Sequence, residues 1–289
     1  MIHYILSTRT HVIISSKTPL EKLYEHYKNL LTIASSLETA SLTQIALLTN
    51  KYLYKTGIAN HYYTNEEISY INVHYRLVKT LSEEASVLKI QGVESLLSRI
   101  LFLLASINRH MLDTKLLLEY AKKINTILSI PTPPWTDEAR RIDLLEPGSR
   151  IHIFPGTVLS TWILSTLTEL LDKQEIETNI MLCNEPYEDY LTINRLSRFY
   201  EFRNKTISTI DCKNILQYIR DIEAKSDLII SYNNLLVYDI LDHYFLEKNV
   251  PDIDKVLILI NPIGTPLEEI LDATPRALTP LSMISIINH

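Results

Sequence analysis

Ile151-His152-Ile153-Phe154 is a short apolar run, Pro155-Gly156-Thr157 interrupts it, and an amphipathic stretch continues through Leu171. The same strand, turn and helix pattern recurs downstream. Ile180–Cys183 is followed by Asn184-Glu185-Pro186 and a helical pattern to about Phe202. Leu228–Ser231 is followed by Tyr232-Asn233-Asn234 and a helical pattern to Leu246, and Val256–Ile260 ends at Asn261-Pro262. Thr206–Ile210 reads as a further strand between the second and third runs. Continuous rather than alternating apolar runs belong to strands covered on both faces. Their alternation with helices makes βαβ units. Right-handed crossovers then give an α/β fold: a Rossmann-like, mainly parallel sheet with helices on both faces.

Upstream, the hydrophobic period is helical. Leu20, Leu23, Tyr24, Tyr27, Leu30 and Leu31 recur at steps of three and four, as do Val93, Leu96, Leu97, Ile100, Leu101 and Leu104. Ile2–Ile14 is an ambiguous, extended-looking stretch. Pro131-Thr132-Pro133-Pro134 cannot continue a helix. The expected organisation is a helical domain over residues 1–130, a Pro-rich linker over 131–147, and the Rossmann-like domain over 148–289.

Composition narrows the function classes. With 46% hydrophobic and 21% charged residues in 289, the chain can bury a sizeable core. The formal net charge of -6 argues against a broad nucleic-acid footprint, so no DNA partner is expected. The longest apolar runs fall far short of the ~20 residues of a membrane span, and the N-terminus makes a poor signal peptide, which points to a cytoplasmic protein away from membranes. The two cysteines, Cys183 and Cys212, have no metal-ligand spacing and suggest a reducing compartment without a disulfide framework.

In open α/β sheets, ligands bind beyond the carboxyl ends of the strands. That selects Gly156, Thr157, Asn184, Glu185, Asn233 and Asn234 as candidate ligand-binding residues. No Gly-rich dinucleotide or P-loop fingerprint is present, and none of the four turns holds Lys or Arg. A phosphorylated ligand would then depend on helix N-termini or on side chains from elsewhere. The plain alternative is four ordinary strand-to-helix turns with Thr157 and Asn184 as caps. Asp239, Asp242 and His243 cluster on one helical pattern and read as a solvated face sooner than a metal site. Six tyrosines between Tyr52 and Tyr75 suit helix packing or an interface. No cofactor and no metal are expected.

The order of these pieces resembles the translation initiation factor 2B regulatory-subunit family, which includes ribose-1,5-bisphosphate and methylthioribose-1-phosphate isomerases. Ile153–Thr157, Ile180–Pro186, Asp227–Asn233 and Asp272–Arg276 stand where that family has its motifs. The resemblance implies dimerisation through the α/β half, as a homo-oligomer or with a paralogous subunit, and translation initiation factor 2 as a partner. It also implies a small phosphorylated ligand. The isomerases' cysteine and aspartate would fall at Gly156 and Asn233, and their phosphate-binding arginine at Glu185. None of the three can replace the group it stands for, so the resemblance implies a non-catalytic regulatory or scaffolding protein with a degenerate pocket and no catalytic residue. A sugar-phosphate isomerase and a nucleotide-sensing Rossmann-like module remain the alternatives.

Overall fold

The computed structural model describes residues 6, 9–10, 13–14, 18–35, 42–58, 96–106, 137–156, 158–184, 191–211, 215–232, 255–260 and 276–278. In chain order these hold α1 (Leu20–Ser35), α2 (Leu42–Lys55), α3 (Leu96–Ser106), a 3₁₀ helix at Asp137–Leu144 and β1 (Arg150–Phe154). A 3₁₀ turn at Val158–Ser160 leads into α4 (Thr161–Lys173), followed by β2 (Glu177–Cys183) and the single-turn α5 (Ile193–Leu196). Then come β3 (Thr206–Ile210), α6 (Ile215–Glu223), β4 (Leu228–Tyr232), β5 (Val256–Ile260) and β6 (Arg276–Leu278).

The strands form one sheet in the order β3-β2-β1-β4-β5-β6. Five are parallel, and β6 closes the edge antiparallel to β5, pairing Leu278 with Ile258. In the central β1, Ile151 sits between Thr178 and Leu228, and Ile153 between Ile180 and Ile230. Alternate residues face opposite ways along a strand. Ile151, Ile153, Ile180, Leu182, Leu228 and Ile230 join α3 and α4 in one continuous core. Their neighbours Phe154, Met181, Ile229 and Val256 are also buried, on the other face. There His152 meets Ser226, just beyond α6. This double coverage is why the strands read as unbroken apolar runs.

The strand at Glu177 begins three residues before its apolar run, because Glu177, Thr178 and Asn179 sit at the less buried start of β2. The helix expected to run to Phe202 is instead the single turn of α5 and a 3₁₀ turn at Tyr200–Phe202. Phe199 between them is extended, with φ -93° and ψ 120°, and the break lets Leu196, Phe199 and Phe202 all reach the core. The pattern expected to be helical after Asn234 and the apolar segment at 281–287 lie outside the described residues.

Helix α3 is apolar almost all round, and such a helix is buried. Leu97, Ile100, Leu101, Leu103 and Leu104 enter the core of the sheet. Asp143 caps α3 from outside: its Oδ1 accepts the backbone N–H groups of Leu97 and Ser98 at 3.1 and 3.3 Å. Burial raises the Asp143 carboxyl above its usual range, and these hydrogen bonds pull it back down. Asp143 belongs to the 3₁₀ helix inside the segment read as a linker, where Ile142 is fully buried.

A smaller cluster joins Leu6, Ile13, Leu30 and Leu53. Leu6, Arg9, Thr10, Ile13 and Ile14 are helical where the sequence looked extended. Buried Arg9 donates to the Ala46 carbonyl at 3.3 Å. Tyr52, from the tyrosine-rich window, receives a hydrogen bond from Asn29 and shares another with His26, both at 2.9 Å. Tyr62 to Tyr75 lie outside the described residues.

No helix among the described residues is long and apolar enough to cross a membrane. Cys183 departs from the expected free thiol: it is disulfide-bonded. The sequence contains one other cysteine, Cys212, which lies outside the described residues.

Candidate functional site

Along the sheet, the chain places β2 and β3 on one side of β1, then returns to place β4 and β5 on the other. The reversal lies between β1 and β4. At such a reversal, open α/β sheets take their ligands beyond the carboxyl ends of the two strands.

The β1 side of this reversal is a fastened turn. Gly156 is buried, and its carbonyl accepts the N–H of Leu191 at 3.0 Å, tying in the segment after β2. The Gly156 backbone N–H also bonds the hydroxyl of Tyr232, the last residue of β4. Ser160 Oγ donates to the same hydroxyl at 3.2 Å. Tyr232 has the parity of Leu228 and Ile230, points to the α4 side, and is fully buried. Burial pushes its phenol far above the usual range, while the bonds from Ser160 and Gly156 act the other way. It stays a neutral phenol at any ordinary pH and cannot act as a base. Its work is to latch the β1–α4 turn to the end of β4.

The 3₁₀ turn at Val158–Ser160 runs directly into α4. Ser160 is the N-cap of α4, yet its side chain makes no capping hydrogen bond. The helix dipole at this end favours a negative charge. Two buried polar atoms have no hydrogen-bond partner: Trp162 Nε1 in the first turn of α4, and Ser231 Oγ on the face of β4 turned away from α4. Such groups in a native interior call for a ligand or water. Arg195, on α5, is 4% exposed and brings a buried guanidinium to the segment following β2.

Of the sequence-derived candidates, Gly156 and Asn184 stand at the carboxyl edge on neighbouring strands. Gly156 is committed to the fold through both its backbone groups. Asn184 is exposed, and its backbone N–H donates to the Ile210 carbonyl at 2.8 Å, extending the β2–β3 ladder. Thr157, Glu185, Asn233 and Asn234 lie outside the described residues, as do Asp239, Asp242 and His243. Among the described residues, no group of three or more His, Cys, Asp or Glu could hold a metal ion. The sequence reading missed Tyr232, Ser160 and Arg195. Tyr232 was legible in principle, since a strand drawn one residue longer gives it an inward parity. The Ser160 contact spans 72 residues and leaves no local signal.

The chain matches no family model and none of the curated proteins. Among solved structures it is similar to a DUF89 family protein from Pyrococcus horikoshii. The TM-score is 0.64 at 11% identity, and the likeness covers 96% of this chain and 97% of that one. This finding overturns the resemblance to the initiation factor 2B regulatory-subunit family. The motifs behind it were strand ends running into turns, and any doubly wound sheet needs apolar strands ending in small or polar turn residues. They reported the fold and not descent. Over nearly its whole length, the chain shares the fold of a DUF89 family protein.

Proposed function

We propose that this protein binds a small phosphorylated ligand beyond the carboxyl ends of β1 and β4. The observation that carries the reading is the reversal of strand order between these two strands, the place where open α/β sheets take their ligands. Three features support an anionic group there. The first turn of α4 has no side-chain cap. The Trp162 indole N–H, in that turn, is buried without a partner. The turn itself is held rigid through Tyr232, so little ordering cost falls on binding.

The test is thermal unfolding against inorganic phosphate, ribose 5-phosphate, nucleoside mono- and diphosphates, and their dephosphorylated counterparts. A ligand present at about 100 times its Kd adds roughly 2.7 kcal/mol. At roughly 2–4 °C per kcal/mol for a chain of this size class, that is a rise of about 5–10 °C. The expected result is a rise with at least one phosphorylated compound and none with its dephosphorylated form. Asn184→Asp, which adds a negative charge on the exposed rim, should weaken that binding. Flat melting temperatures across the panel at millimolar concentration would overturn the reading.

A further inference from the structure

Helix α1 has two apolar faces. One points inward: Leu30 is fully buried, with Leu23 and Ala34 packed beside it in the small N-terminal cluster. The other points outward. Leu20 and Tyr24 are 81% and 74% exposed, and Tyr27 and Leu31 are each 40% exposed. Single exposed apolar residues are ordinary. Four on one helix at successive steps of four, three and four form a continuous stripe, and that spacing is the seam of a two-helix coiled coil.

We propose that this stripe is an interface with a second copy of the same chain, the two α1 helices running antiparallel about a two-fold axis. The stripe is self-complementary in that arrangement. An axis passing midway between Tyr24 and Tyr27 sets Leu20 opposite the partner's Leu31, and Tyr24 opposite the partner's Tyr27. Aromatic rings meet at the centre, with leucines at both ends. The charges fit as well. Glu21, next to Leu20, and Lys28, a turn before Leu31, are exposed on the same margin of the stripe. The antiparallel arrangement brings each Glu21 toward the partner's Lys28, giving two opposite-charge pairs per dimer. A parallel pairing aligns every residue with its own copy and faces these charges with the inward leucines of the other margin. A two-fold contact in which one patch meets itself is the commonest way in which soluble chains associate.

The patch is small. Sixteen residues of helix span about 24 Å, and four side chains per copy bury less than the ~1,200 Å² of a standard interface. We take the dimer to be weak, with a Kd on the order of 10–100 µM.

Sedimentation equilibrium of the full chain from about 1 to 500 µM, a range that brackets that Kd, tests this. The expected result is a shift from 33.4 kDa toward twice that mass as concentration rises. Leu20→Glu with Tyr24→Lys changes exposed positions only. It should leave the circular dichroism spectrum unchanged and raise the Kd at least tenfold. Glu21→Lys alone should weaken the dimer by placing lysine against lysine, and Glu21→Lys with Lys28→Glu should restore it. A monomer at every concentration overturns the proposal. So does a dimer that the Leu20 and Tyr24 changes leave intact, and a failure of the double charge swap to restore affinity overturns the antiparallel arrangement.

Discussion

The core of the sheet and the N-terminal helical cluster are two ways of holding a chain together. The first is continuous. Residues from α3, α4, the Asp137–Leu144 helix, four strands and the Phe199–Phe202 turn share one apolar interior, and both faces of the sheet are covered. The second joins four fully buried side chains, flanked by polar fasteners: Arg9 on the Ala46 carbonyl, and Tyr52 with His26 and Asn29. Its main helix buries Leu30 and leaves Leu20, Tyr24, Tyr27 and Leu31 exposed. A parallel sheet forces dense burial, because every strand must be covered twice. A helix pair buries one stripe per helix and leaves the rest of its surface to other partners.

The sharpest way to break this contrast is to make a cavity in each region. Trp162→Ala, in the larger core, should cost about 3–5 kcal/mol, read as a lower urea midpoint. Leu30→Ala should act locally. Hydrogen exchange should speed up in α1 and α2 while the strands keep their protection. Equal loss of protection in the strands would show that the two regions unfold as one.

The disulfide is expected to have the next largest effect. Cys183, at the end of β2, is disulfide-bonded. Reduction, or Cys183→Ser, should cost roughly 2–4 kcal/mol. Mass spectrometry of an alkylated, unreduced sample tests the premise directly, since two labelled thiols in the folded protein would contradict it.

Asp143 probes how the sheet core holds α3. Asp143→Ala removes the cap of α3 and should cost about 0.5–2 kcal/mol, as for other helix caps. Thermal unfolding followed at 222 nm reads it.

His152 supplies a pH dependence. Burial is the main cause that lowers its pKa below 6.5, with the charges of Arg150 and Lys225 adding to it. Below 6.5 the unfolded chain binds a proton that the folded chain refuses, so this residue makes stability fall as pH drops from about 6.5 to its folded pKa, and level off below that. His152→Gln should flatten that part of the stability profile.

The smallest effect is a gain. Glu175 sits at φ 59° just past α4, and the N–H of Ile176 closes the helix end on the Leu171 carbonyl at 3.0 Å. Glycine suits that left-handed position, so Glu175→Gly should stabilise by about 1 kcal/mol.

The strands, their parallel character and most of their limits were determined by local sequence. Ile151–Phe154, Leu228–Ser231 and Val256–Ile260 are apolar without alternation because each is covered twice, and that requirement is written residue by residue. The helical period of Leu20–Leu31 was equally local. Its division into an inward and an outward face was not, because both faces satisfy the same spacing and only the position of α2 separates them. The site lay further from reach. Gly156 and Asn184 could be named because strand ends are local features. What holds Gly156 is a phenol 76 positions away in the chain, and what caps α3 is a carboxylate from beyond the proline-rich segment. Contacts of that range arise when crossover connections bring strand ends together, so their chemistry has no short-range pattern to read. The family resemblance failed for the same reason: short motifs record what a strand end needs locally, and many unrelated doubly wound sheets need the same things.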